Sequence, residues 1–245
     1  MLATQHREKA LYGLMRASLI FYRKLQKELE QYGFEVNPYD PCIANMTTSS
    51  GEPMTVIWHV DNLMGTCTED FELTKFSCNL AKIYGPKLSM HTGNKHNYLG
   101  VDLEFNDDGT LDVSMVNYLK SVIAEFPEMI TGKAAMPVAD HLFTIRDEKE
   151  ARVLEEERAL IFHHTVAQLL FMLTRARHDI QMAVAFLTTR VKSPDKDDWG
   201  KLKRVLKYLN RTKYLKLKLS VDNLGLLKWY IDGSHNVHWD CRGHG

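Results

Sequence analysis

Met54-Thr55-Val56-Ile57-Trp58-His59-Val60-Asp61-Asn62-Leu63-Met64-Gly65-Thr66-Cys67 contains two apolar runs separated only by Asp61 and Asn62. Short runs rich in β-branched and aromatic residues, joined by two polar residues that accept turn backbone, predict an antiparallel hairpin with Asp61 and Asn62 at its tip. A carboxylate there projects clear of its sheet and can reach a metal or a substrate. The plainer reading is that tight turns select Asp and Asn for their backbone preferences alone.

Upstream of the hairpin, residues 42–45 form another short apolar run, set off by the turn residues Asn37, Pro38, Asp40 and Pro41. Before it, Leu14, Ile20, Phe21, Leu25 and Leu29 share one helical face across residues 14–31, and Gly33 provides the stop. Downstream, Thr68 is placed to cap a helix over 68–84 with Asp70 and Glu72 in its first turn and Gly85-Pro86 at its end. Residues 97–105 and 111–115 read as strands flanking Asn106-Asp107-Asp108-Gly109-Thr110, a second hairpin signal. A short helix over 116–126 is then stopped by Pro127. The stretch 131–147 has no period and carries Pro137, which marks a linker and domain boundary. Beyond it the pattern is helical over 152–176, 179–191 and 196–211, with strand candidates at 214–220 and 226–231 around Asp222-Asn223.

The 245 residues are 44% hydrophobic and 25% charged, which excludes disorder, collagen and coiled coil. No run approaches the length of a membrane span, and Gln5, His6, Arg7, Glu8 and Lys9 interrupt the start, so neither a span nor a secretory signal is expected. A non-secreted chain of the cytoplasm or nucleus follows. Cys42, Cys67, Cys78 and Cys241 form no Cys-x-x-Cys pair, and His235, His238, Cys241 and His244 do not have the spacing of a common zinc site. The adjacent pair His163-His164 would point about 100° apart on a helix. Phosphate-loop, zinc-protease and serine-hydrolase signatures do not occur.

Formal charge balances at 31 basic against 31 acidic residues, but unevenly along the chain. Residues 97–157 hold 14 acidic and 5 basic residues, whereas 192–218 holds 10 basic and 3 acidic. In the helix over 196–211, Leu202, Val205, Leu206 and Leu209 make one face, and Lys203, Arg204, Lys207 and Arg211 fall opposite. With Tyr208 and Tyr214 nearby, such a stripe suits a phosphate backbone read for shape. The alternative is a solvated face.

In order along the chain these pieces resemble one family, the reverse transcriptases of copia-type LTR retrotransposons. The family's Lys-Ala-Leu-Tyr-Gly-Leu signature stands as Lys9-Ala10-Leu11-Tyr12-Gly13-Leu14, followed by Tyr22, Gly33-Phe34 and Asp40-Pro41-Cys42. Its Tyr-Val-Asp-Asp hairpin corresponds to His59-Val60-Asp61-Asn62, and its Tyr-Leu-Gly strand to Tyr98-Leu99-Gly100. Thr174-Arg175 with Asp179-Ile180 resembles its Thr-Arg-Pro-Asp-Ile, with an inserted Arg-His in place of Pro. Trp199 and the run from Lys203 to Leu209, with Thr212, resemble its thumb-side helix, and Tyr230-Ile231-Asp232 resembles the first strand of a following ribonuclease H domain.

The resemblance implies an α+β chain: a partial polymerase palm over 1–130, an antiparallel sheet backed by helices, then a linker over 131–149. A helical thumb and connection region over 150–220 and the start of a ribonuclease H-like domain over 221–245, with Asp232 as its remnant acid, complete it. It implies RNA-directed DNA synthesis by descent, magnesium as cofactor, and an RNA or RNA–DNA template-primer as partner. Asp61 would be the metal ligand and Asn62 the second catalytic position, with Lys203, Arg204, Lys207 and Arg211 on the nucleic acid. In the family, an Asp on an earlier strand helps hold the two ions, and only eight residues precede Lys9. Asn62 is neutral, and its amide oxygen cannot offset a metal's charge as a carboxylate does. Met15 and Ser18 also stand where the family has Lys and Pro. The chain as it stands is therefore expected to be inactive; the alternatives are a non-catalytic nucleic-acid-binding remnant and a globular relic without a partner.

Overall fold

A computed structural model describes residues 17–146, 152–221, 225, 226 and 229. The Lys9-to-Leu14 signature, Met15, residues 147–149 of the expected linker, Asp232, and the His235, His238, Cys241 and His244 series lie outside these residues. The chain divides into two compact units, Met1–His91 and Thr92–Gly245.

The first unit opens with α1, Ala17–Tyr32, whose Leu25 and Leu29 are fully buried. Gly33 ends it at φ +116°: its N–H bonds the Leu29 and Glu30 carbonyls at 3.2 and 3.1 Å, and Phe34 drops into the core. Only glycine adopts that backbone without strain, which is why Gly33-Phe34 reads as a motif. The chain then forms β1 (Glu35–Val36), β2 (Ile43–Thr47), β3 (Pro53–His59) and β4 (Asn62–Cys67), a wholly antiparallel sheet in that order. The turn into β2 is built by side chains. Asn37 Oδ1 accepts from the Tyr39 and Asp40 amides, Asp40 Oδ1 accepts from the Cys42 amide, and the Tyr22 hydroxyl donates to the Pro41 carbonyl at 3.1 Å.

Along β3, Met54, Val56 and Trp58 are buried while Pro53 and His59 are exposed and Thr55 and Ile57 half-buried, the two-residue period of a strand with one covered face. That face packs against α1 and against α2, Asp70–Tyr84, through Phe76 and Leu80. Thr68 does not cap α2. The N-cap is Glu69, with no side-chain bond, and the Thr68 hydroxyl instead donates to Glu52 at 3.0 Å, a charged acceptor offered by the β2–β3 loop.

In the second unit the strand expected over 97–105 is two strands. β5 (Lys95–Tyr98) and β6 (Val101–Phe105) pair antiparallel through Tyr98↔Val101, and the chain reverses at Leu99 (φ +52°) and Gly100 (φ +80°). Two successive positive φ values define this hairpin turn, and the apolar Leu99 hides it from a reading of the apolar pattern. β7 (Leu111–Ser114) follows the expected second hairpin, where Asp108 accepts from both the backbone and the hydroxyl of Thr110. Then come α3 (Val116–Glu125), α4 (Glu156–Leu173), a 3-10 turn at His178–Ile180, α5 (Gln181–Arg190) and α6 (Lys196–Arg211). Finally β8 (Leu217–Leu219) returns to pair with β7, giving the order β5-β6-β7-β8.

One face of this second sheet supplies Val101, Leu103, Leu111, Val113 and Leu217 to a large core with the helices. α6 begins with a complete capping box: Asp195 accepts from the Asp197 and Asp198 amides, and Asp198 accepts from the Asp195 amide. The α4–α5 corner is tied to the end of α6 by Arg177, whose side chain is 4% exposed. It grips Asp179 through two bonds of 2.9 and 2.7 Å and donates to the Thr212 carbonyl and hydroxyl. Arg175 lies over the Phe171 ring. The architecture is α+β, two antiparallel sheets with six helices among the described residues.

Candidate functional site

The first candidate lies at the β3–β4 hairpin. The register pairs His59 with Asn62, so the two turn residues are Val60 and Asp61, one position earlier than expected, and Asn62 is the first residue of β4. Val60 adopts φ +56°, a strained value for a β-branched residue, and its side chain is exposed. Asp61 is exposed, and its carboxylate makes no hydrogen bond or ion pair among the described residues. The tip therefore presents one unengaged carboxylate beside one amide. Among the described residues no three His, Cys, Asp or Glu side chains gather closely enough to hold an ion. Asp61 and Asn62 by themselves do not make up a set for two divalent cations.

The second candidate is the basic face of α6. Lys203, Arg204 and Lys207 line a cleft of about 460 Å³, together with Lys133, His141 and the buried Lys201. Arg211 is exposed and does not line it. The cleft exists because residues 127–146 run over α6 and are held there by its side chains. Arg204 Nε donates to the Val138 carbonyl at 3.0 Å, Lys201 Nζ to the Thr144 carbonyl at 2.7 Å, and the Trp199 indole to Glu128 at 2.9 Å. Lys203 pairs with Glu128, and that hydrogen bond is the chief reason the Glu128 carboxyl sits below its usual range.

The basic stripe is thus partly spent inside the fold. Lys201 is neutralised by Asp197 at 3.0 Å and Lys203 by Glu128; Lys216 bonds Glu104 and Asp112 at 2.6 and 3.1 Å. Lys203, Lys216 and Lys218 of the basic stretch meet Glu128, Glu104, Asp112 and Asp108 of the acidic one. Lys133, Arg204 and Lys207 keep charges with no anionic partner among the described residues, and only they remain in the cleft to meet an anion. Tyr208 is turned from the cleft to donate to Asp179 at 2.8 Å. Lys133 was not legible as a site residue, because it joins the others only through the fold of the 127–146 segment. His163 and His164 are both exposed on α4, and His164 lies 3.9 Å from Glu125.

Residues 4–139 match the family described as reverse transcriptase (RNA-dependent DNA polymerase). The chain is 24% identical over 230 residues to a putative transposon Ty5-1 protein of Saccharomyces cerevisiae, covering 94% of this chain and 72% of that protein. It is 23% identical over 209 residues to a retrovirus-related Pol polyprotein from transposon TNT 1-94 of Nicotiana tabacum, covering 83% of this chain but 15% of that polyprotein. No solved structure matches the chain. No helix among the described residues is long and apolar enough to cross a membrane.

Proposed function

The chain belongs to the reverse transcriptase family, of the copia-type retrotransposon kind, and from that premise we propose that it is a polymerase-derived module that holds a nucleic-acid duplex without extending it. Residues 1–130 act as the partial palm, 150–220 as the thumb and connection region, and 221–245 as the start of a ribonuclease H-like domain. Asp61 is the inherited metal position, with magnesium as the ion it once shared. The cleft on α6 carries the binding half of this reading: three cations without an anionic partner among the described residues, Lys133, Arg204 and Lys207, line one cleft and suit a phosphate backbone and not a base sequence. Loss of catalysis rests on the hairpin. A lone carboxylate beside a neutral amide does not satisfy two divalent ions, so no chemical step is assigned to this chain's residues.

Primer extension on a primed RNA template with magnesium or manganese should stay at background, and Asn62→Asp should not restore it. Templated extension by either form would overturn the catalytic half. Binding to an RNA–DNA hybrid should be sequence-independent, with a slope of log affinity on log salt of roughly −2 to −3, about 0.9 per phosphate neutralised. Lys133→Ala with Lys207→Ala should reduce the steepness by about two. Salt-independent binding, or none at low ionic strength, would leave the α6 face as solvated surface.

A further inference from the structure

On α6 the residues lining the cleft recur at helical spacing, with Asp197, Gly200, Arg204 and Lys207 on one face. Gly200 lies inside the helix, where glycine is unfavourable beside alanine because it gives up more backbone freedom. Packing does not require it there: a Cβ at 200 would meet no atom within 4 Å. A helical side chain projects toward the turn before its own Cα, which for position 204 is the turn that holds Gly200. The missing side chain leaves room on that side of Arg204.

The charges around that room are fixed and unmatched. Arg204 is pinned through Nε, which donates to the Val138 carbonyl at 3.0 Å, while its Nη groups have no acceptor among the described residues. A guanidinium held in this way has already lost rotamer freedom and offers the rest of its fork to an oxyanion. Lys207 follows on the same face, and Lys133 comes from the segment that runs over α6. The carboxylate in the cleft does not offset them, because Asp197 is engaged by Lys201 at 3.0 Å and Arg146 at 3.7 Å. Three cations in one cleft suit a group with more than one negative charge. A backbone phosphodiester carries one, whereas a terminal phosphate carries about 1.5 to 2 near pH 7 and presents three oxygens. The volume of about 460 Å³ is that of a small-ligand site, and a duplex is too wide to enter it.

We propose that this cleft is a terminal-phosphate site, in which Arg204, Lys207 and Lys133 hold a phosphomonoester or polyphosphate end in the room left by Gly200. The end comes either from the 5′ terminus of a nucleic-acid strand or from a free nucleotide. The inference rests on the reading of the cleft as a phosphate-binding surface and narrows it, from a backbone passing over α6 to an end seated beside it.

Calorimetric titration of the full chain at low salt compares a short single strand with a 5′-phosphate, the same strand with a 5′-hydroxyl, and adenosine triphosphate without magnesium. The phosphorylated strand, the triphosphate or both should bind roughly tenfold or more tightly than the hydroxyl strand. A lead by the strand assigns a nucleic-acid end, and a lead by the triphosphate assigns a free nucleotide. Gly200→Leu changes no charge and meets no neighbour at Cβ, so it should keep the helical circular dichroism. It should weaken the better probe by roughly tenfold or more, because it fills the room the phosphate needs. Should Gly200→Leu fail to fold, Lys207→Gln, at a side chain with no anionic partner among the described residues, should weaken that probe about tenfold. Phosphorylated probes that bind no better than the hydroxyl strand, or an affinity unchanged in the folded variant, would overturn the proposal. An RNA–DNA hybrid with hydroxyl ends separates it from the reading beneath it. Salt-dependent hybrid binding without a preference for phosphate ends sinks the terminal site and leaves the backbone reading standing, whereas loss of both sinks both.

Discussion

The two sheets have the same four-strand antiparallel order, yet they treat polar groups in opposite ways. The first is covered by α1 and α2 over nine buried apolar residues among those described, and its aromatic core leaves the Tyr32 and Tyr84 hydroxyls and the Trp58 indole N–H buried without a hydrogen-bond partner in the described structure. Burial raises both phenol pKa values accordingly. The second sheet shares a core of twenty-five buried residues with its helices, and most buried polar groups near it are tied down: Arg177 to Asp179 and Thr212, Lys201 to Thr144 and Asp197, Asp198 to Arg190, while Asp112 Oδ1 has no hydrogen bond in the described structure and only the Lys218 ammonium 4.0 Å away. Its outer face is a ladder of Lys95, Glu104, Lys216 and Asp112, where the strands of the first sheet carry Glu35 as their one carboxylate and no lysine or arginine. A unit whose polar groups are engaged internally has specified its partners. In the first unit, among the described residues, the Tyr32 and Tyr84 hydroxyls, the Trp58 indole and the outward backbone groups of Leu63 and Gly65 are not so engaged.

The sharpest way to break this contrast is to cut the Arg177 tie. Arg177→Ala strands the Asp179 carboxylate and the Thr212 carbonyl, and should cost roughly 3 kcal/mol in urea unfolding followed by Trp199 fluorescence. Arg177→Lys should recover little, because an ammonium cannot make the paired bonds of a guanidinium. Asp195→Ala should cost about 1 kcal/mol by removing the α6 cap, whereas Thr68→Ala, at a helix start it does not cap, should stay within about 0.5 kcal/mol. Tyr84→Phe in the first unit should be near neutral or slightly stabilising, since it deletes an unsatisfied hydroxyl. A loss as large as that of Arg177→Ala would mean the phenol has a partner and the contrast is false.

The smallest effect concerns pH. Glu104 is drawn down to about 2 by hydrogen bonds from Lys216 and Lys95. A carboxyl lowered on folding contributes stability that is complete above the ordinary carboxylate range and is lost as pH falls toward 2. Lys216→Met should raise the Glu104 titration measured by NMR, and added salt should do the same in the parent chain because the ladder is solvent-exposed. An unchanged midpoint in both would remove the charge ladder from the comparison.

Much of this was written in local pattern. The β3–β4 hairpin, the 106–110 hairpin, α3, and the span of α6 follow from apolar periodicity and turn chemistry, which act over a few residues. The misreadings share one cause. Leu99-Gly100 looks like strand because the apolar count cannot register a backbone that turns; Thr68 looks like a cap because nothing local announces Glu52, which reaches it from another loop. The guanidinium that reaches both Asp179 and Thr212 is that of Arg177, and no local pattern announces a contact to Thr212.

By itself, then, the sequence determined the α+β class, the family, the exposed carboxylate near a hairpin tip and the cationic face of one helix, because each is carried by neighbours in the chain. Only the tertiary structure decided how much of that cationic face is free. Lys203 and Lys201 are neutralised by carboxylates and Arg204 is bound to a carbonyl of a segment far away in sequence, while Lys133 is brought in to join Lys207. Charge compensation is settled by distance in space, and a linear pattern does not contain it.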